Sequence, residues 1–286
     1  MKIVSSGRVL NSREFYEKKK RRRRIQLIAL SVIFISVISL LVFFSRQEQF
    51  LVVEATVLGE KVVDKEEMTQ MAQRLLTGYY LWIVPRANTL IYPRRAIERN
   101  LLEEFPRLKS VDLSLGEQQR LLVTVDERVP FALYCINASS PQDASLLPAQ
   151  ADDCFFLDEE GFVFAPAPSF SSGVYFVYFT QNPVENPIGQ RFITIAEFRL
   201  LSKFIDTFVA LNIDPLALEI KDDEYALLLV KGGQIMWRRD SDLTLIHSNL
   251  EAFLSNNSIR TQSNFFDRML YLDLRTENKV FYKFRD

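Results

Sequence analysis

Twenty consecutive residues, Ile25 to Phe44, carry neither a charge nor a proline. At about 1.5 Å of rise per residue they make about 30 Å of helix, one hydrocarbon thickness. A soluble helix of that length with no polar stripe would have to be buried on every side. A cleaved signal peptide also starts with basic residues, but its apolar core spans about 7–15 residues and ends in small ones. Here the run is longer and continues into Ser45, Arg46, Gln47 and Glu48. Residues 25–44 therefore read as an uncleaved transmembrane helix.

Charge sets its direction. Lys2, Arg8, Arg13 and the run Lys18 to Arg24 are ten basic residues opposed by Glu14 and Glu17, so residues 1–24 carry +8. The whole chain has 35 basic and 36 acidic residues, which leaves 25 and 34 beyond residue 24, a net of −9. A basic flank stays cytoplasmic. The expectation is a single-pass type II protein of the cell (inner) membrane with roughly 240 residues outside. Against a span, the Lys18–Arg24 run reads as a topology signal and a contact for membrane lipid. An ectodomain at −9 does not suit nucleic acid.

Composition narrows the chemistry. With 48% apolar and 12% aromatic residues the ectodomain can build real cores. One histidine and two cysteines exclude zinc sites of four cysteines or of two cysteines and two histidines. Nucleophile elbow, zincin, P-loop and dinucleotide motifs are all lacking. His247 lies between Leu243, Ile246 and Leu250 in a helical pattern, where a partly buried structural histidine is expected. Asp152 with Asp153, and Asp158 with Glu159 and Glu160, lack the spacing of a calcium loop. The chain reads as noncatalytic, with no cofactor and no small-molecule substrate.

The exposed chain alternates strands and helices, an α+β pattern. Phe50 to Leu58 is apolar and β-branched, and Asp64 with Glu67 forms a helix start that Gly78 ends. Pro93 opens a second helix stopped by Pro106. Val111, Leu113 and Leu115, then Leu121, Val123 and Val125, alternate as a hairpin. The order is strand, helix, helix, strand, strand. Further on, Phe155 to Phe164 reads as a hairpin and Thr194 to about Leu211 as a helix. Leu216 to Ile220 and Tyr225 to Val230 are strands, and Gly232-Gly233 is a two-residue turn into Gln234 to Arg238. A helix from about Ser241 to Leu254 precedes the last strand, and residues 137–153 and 165–190 read as loops.

Val57-Leu58-Gly59, the Asp64 helix start, Gly78, and Phe105-Pro106 to Val111 resemble a POTRA domain. With Leu121 to Asp126 and Glu127-Arg128-Val129-Pro130-Phe131-Ala132 after one span, the chain is similar to the bacterial division proteins FtsQ and DivIB. Leu157-Asp158 with Gly161, and the terminal Tyr271-Leu272-Asp273-Leu274-Arg275, extend the resemblance to roughly residues 18–286. It implies a basic tail at 1–24, a span at 25–44, a POTRA domain at 50–128 and a β-rich domain at 129–286 ending in an edge strand. It also implies a divisome scaffold enriched at the septum, recruiting FtsB- and FtsL-type coiled-coil proteins. The alternative is a POTRA protein of outer-membrane assembly or secretion.

Two features remain. Cys135 ends one strand and Cys154 begins the next, both outside the membrane on this topology. If the strands are antiparallel neighbours a disulfide closes the loop, and two separate buried thiols are the alternative. At the C-terminus, Leu270, Leu272 and Leu274 share even parity with Val280, Tyr282 and Phe284. A two-residue turn would break that parity, so one long strand is favoured, with a three-residue loop still open. The resemblance makes the strand around Leu274 the edge to which a partner adds a strand. Tyr271, Arg275, Thr276, Lys279 and Phe281 are then the contact candidates.

Overall fold

The computed structural model describes residues 13–136, 154–168, 174–256, 259, 265–277 and 279–285. The tail over residues 1–12 and the loop expected over 137–153 lie outside the described residues. Helix α1 runs Arg13–Ser45 over 33 residues, longer than the apolar run because the lysines and arginines before it are themselves good helix formers. An 18-residue window of it has mean hydropathy 3.0 and is 0% buried, so α1 is long and apolar enough to cross a membrane.

The chain divides into two compact units, one of Met1–Glu60, Asp64–Leu101 and Val111–Thr124, the other of Lys61–Val63, Leu102–Ser110 and Val125–Asp286. The first unit begins after α1 with a 3₁₀ turn, Glu48–Phe50, and β1, Glu54–Leu58. The expected strand over residues 50–58 is thus cut short. The Phe50 carbonyl instead accepts from Thr89 N at 2.9 Å, and Val52 N donates to the Ala87 carbonyl at 2.7 Å. Helix α2, Lys65–Leu76, is capped by Asp64, which accepts from Glu67 N at 2.9 Å. A small hairpin follows, β2 (Tyr79–Tyr80) and β3 (Val84–Pro85), then α3 (Arg94–Glu104), β4 (Leu108–Leu115) and β5 (Arg120–Glu127). The sheet order is β1-β5-β4, with β1 parallel to β5 from Glu54↔Arg120 to Leu58↔Thr124. Ala55, Val57, Met68, Ile97, Leu101 and Val123 are buried in this unit.

Among the described residues the second unit carries a nine-stranded mixed sheet. Its strands are β6 (Ala132–Cys135), β7 (Cys154–Leu157), β8 (Val163–Pro166), β9 (Val177–Thr180), β10 (Pro215–Ile220), β11 (Glu224–Leu229), β12 (Gln234–Arg238), β13 (Met269–Thr276) and β14 (Lys279–Phe284). They lie in the order β14-β13-β12-β11-β10-β9-β6-β7-β8. Strand β9 falls within the stretch expected as a loop, and it pairs in parallel with both β6 and β10. Parallel neighbours need crossover connections. Helix α4 (Ile195–Ala210) supplies the one from β9 to β10, and α5 (Leu243–Ser255) lies between β12 and β13. Phe198, Leu201, Phe208, Ile246 and Leu250 from these helices share one core with Leu218, Leu227, Trp237 and Leu272 of the sheet. The glycine pair forms a longer turn than expected: Leu229 N donates to the Gly233 carbonyl at 3.1 Å, which leaves Val230, Lys231 and Gly232 as the loop.

Candidate partner-binding edge

Met269–Thr276 and Lys279–Phe284 form an antiparallel hairpin, not one strand, which corrects the parity reading. Thr276 pairs with Lys279, so the connection is two residues long. The register then shifts by one between Asp273 and Thr276, giving Asp273↔Phe281, Leu272↔Tyr282 and Tyr271↔Lys283. A bulge of this kind inserts one unpaired residue and restores the parity that a plain two-residue turn breaks. The even positions Leu272 and Leu274 are buried, and Val280 and Phe284 pack against the same core.

The hairpin also moves the edge. Strand β13 is paired on both sides, parallel to β12 and antiparallel to β14, so β14 ends the sheet. The five candidate residues therefore separate. Tyr271, Arg275 and Thr276 lie on an interior strand, whereas Lys279 and Phe281 lie on the edge. Phe281 is 51% exposed, and Lys279 and Lys283 are exposed two residues to either side of it. Lys283 was not among the candidates, although its alternation with Lys279 and Phe281 is visible in the sequence.

Arg275 is already engaged. Its Nε and Nη2 donate to Asp273 Oδ1 and Oδ2 at 2.9 and 2.6 Å, and Nη1 reaches Glu224 Oε2 on β11 at 2.7 Å. Glu224 in turn accepts from Lys221 Nζ at 3.0 Å. The Arg275 hydrogen bonds hold the Asp273 carboxyl below its ordinary range despite partial burial. Burial works to raise Glu224, but the hydrogen bonds from Lys221 and Arg275 prevail and lower it. Arg275 itself is raised by the same two carboxylates. The guanidinium is thus a tie across β11 and β13, with 41% of its side chain exposed. Asp273 was detectable as the same-face neighbour two residues back; Glu224, 51 residues away, carried no local signal.

The Glu127-Arg128 pair proves to be a second polar node. Buried Glu127 accepts the backbone N–H groups of Lys61, Val62 and Val63 at 2.6, 2.9 and 3.1 Å. Arg128 pairs with buried Asp158 and lies over the Phe162 ring at 4.0 Å. Asp158 also accepts Glu160 N and Phe162 N at 2.8 and 2.9 Å, closing the β7–β8 turn. Gly161 in that turn has φ +71°, and a Cβ there would fall 2.7 Å from the Phe198 ring, so only glycine fits.

Cys135 and Cys154 pair directly across β6 and β7 and are joined as a disulfide, with Cα atoms 4.1 Å apart. Among the described residues, no three His, Cys, Asp or Glu side chains converge as metal ligands. Comparison with protein-family models and with curated proteins gave no match.

Proposed function

We propose that this chain is a membrane-anchored, noncatalytic scaffold of the FtsQ/DivIB type, which presents β14 to an extended segment of an FtsB- or FtsL-type partner at the division septum. The observation that carries the reading is the position of β14. It closes the chain's large sheet, pairs on one side only among the described residues, and exposes Phe281 between two lysines. An added strand would take its affinity from main-chain pairing and its specificity from those side chains. After α1 the order is strand, helix, the β2–β3 hairpin, helix, strand, strand; apart from that hairpin, which the sequence reading lacked, it supports likening the first unit to a POTRA module. The sheet's two separate ends, β14 and β8, and its packed helices favour this reading over a closed barrel of an outer-membrane assembly protein. Tethering in one membrane raises the effective concentration of such a partner, so a modest interface suffices.

Phe281→Ser is the test. The full chain, solubilised from membranes in detergent, should lose at least tenfold of its co-purified coiled-coil partner while its thermal transition stays within about 2 °C of wild type, as expected for an exposed substitution. Undiminished co-purification would remove β14 as the site.

A further inference from the structure

The chain leaving α1 is tied to the β2–β3 region by a dense set of bonds. Ser45 O accepts from buried Asn88 Nδ2 at 3.0 Å. Arg46 donates Nε and Nη2 to the Ile83 carbonyl at 3.0 and 2.9 Å, and its guanidinium lies 5.9 Å from the Tyr79 ring centroid. Phe50 and Val52 bond to Thr89 and Ala87, and Leu51 bridges Asn88. Residues 45–52 and 79–91 therefore form one piece at the end of the span.

What that piece exposes is apolar. Leu81 is 87%, Trp82 93% and Leu90 82% exposed, with Ile83 and Ile91 about half so. A water-facing hairpin tip ordinarily carries Asn-Gly, because both central residues need positive φ. Here Leu81 and Trp82 take those positions, at φ +48° and +67°. Bulky residues held there are strained, which marks a tip shaped for something other than water. Residues 79–95 also contain no acidic residue and three arginines; Arg94 is paired with Glu98 and Asp112 at 2.8 and 2.7 Å, whereas Arg86 and Arg95 are exposed.

We infer that the β2–β3 tip and the Leu90-Ile91 turn insert into the headgroup and acyl boundary of the leaflet from which α1 emerges, with Arg86 and Arg95 on anionic headgroups. This rests on α1 being the membrane anchor. An apolar surface bonded to the last residues of a span meets lipid before any soluble partner, and interfacial tryptophan with basic neighbours suits that boundary. The bilayer then holds the first unit at two points, the helix and the tip, and this sets its orientation.

The two tryptophans allow a direct test, because Trp82 is exposed and Trp237 is fully buried. The full chain is reconstituted at low density into phosphatidylcholine–phosphatidylglycerol vesicles, with and without bromine on the upper acyl chain. Bromination should quench Trp82 emission at least twofold, and Trp82→Phe should abolish the quenching. Leu58→Trp in the Trp82→Phe background serves as control, since residue 58 lies four strand positions, roughly 13 Å, beyond Glu54. It should not be quenched. A vesicle-bound chain with unquenched Trp82, or equal quenching at position 58, overturns the inference while the anchor stands. Quenching that falls as protein density rises assigns the tip to a second copy and overturns it too. A chain that fails to float with vesicles removes the anchor and this inference together.

Discussion

Replacing Glu127, the last residue of β5, by glutamine should destabilise the second unit through the backbone of Lys61, Val62 and Val63. The Glu127 carboxylate is 3% exposed and accepts three consecutive N–H groups, from Lys61, Val62 and Val63, while Arg107 Nε stands 3.4 Å from Oε2. A hydrogen bond to a charged group contributes about 1.5–3 kcal/mol and a neutral one about 0.5–1.5. Losing the charge therefore costs roughly 1 kcal/mol per bond, or about 3 in all. The new amide NH₂ adds a donor facing Arg107. At about 2–4 °C per kcal/mol for a unit of this size, Tm should fall by about 6–12 °C. The pH dependence has a defined sign. Burial opposes ionisation of Glu127, but the three N–H groups and Arg107 prevail and lower its folded pKa. A lowered carboxyl contributes stability that is fully present above its unfolded pKa, near about 4.3, and is lost as pH falls through the folded value. The gap between wild type and Glu127→Gln should be constant near neutrality and close below about pH 4. Circular dichroism of the detergent-solubilised chain measures both. A Tm change under about 2 °C, or a gap that widens in acid, would refute the reasoning.

Two further outcomes concern cross-links. Cys135→Ala with Cys154→Ala should cost roughly 3 kcal/mol by loop-closure entropy, and thiol labelling of the unfolded, unreduced wild type should find no reactive cysteine. Arg275→Glu places a third carboxylate beside Asp273 and Glu224; since the side chain is partly exposed, the expected cost is about 1 kcal/mol. Its Tm deficit should shrink in high salt, and a variant as stable as wild type would show that the tie is idle.

Local chemistry was the most legible level. The caps at Asp64 and Thr194, each accepting the N–H three residues on, follow from residue type and spacing alone. So did the alternation of β5; in β4 Leu113 is buried but Leu115 is 45% exposed, and of the two readings left open for Cys135 and Cys154 the structure has the disulfide. Strand β9 was missed although Val177-Tyr178-Phe179-Thr180 is β-branched and aromatic, because its flanks read as loops. The loss of strand at residues 50–53 had no local signal, since the competing bonds come from residues 87–89. The C-terminal hairpin was hidden by its own bulge: parity counts residues, and a bulge changes the count without changing which faces are apolar. For Arg275 the resemblance marked a position, while its bonds to Asp273 and to Glu224 on another strand had no such mark.

On the proposal that β14 is the docking edge, its side chains set what chemistry a partner must bring. Lysines on an edge strand are a common defence against unwanted pairing, because an incoming strand must desolvate them or match them. Lys279 and Lys283 flank Phe281 on the same face of β14, so a chance apolar strand gains one contact and strands two charges. A strand with carboxylates four positions apart and an apolar residue between them turns both charges into cross-strand pairs, each contributing about 0.2–1 kcal/mol. The same lysines thus exclude generic partners and admit an acidic one. Arg275 already commits three of its five N–H donors to Asp273 and Glu224, so it is a weaker match for a partner carboxylate than the lysines. On that proposal selectivity at the edge comes from three alternate residues of β14, Lys279, Phe281 and Lys283, beside the Asp273–Arg275–Glu224 hydrogen bonds.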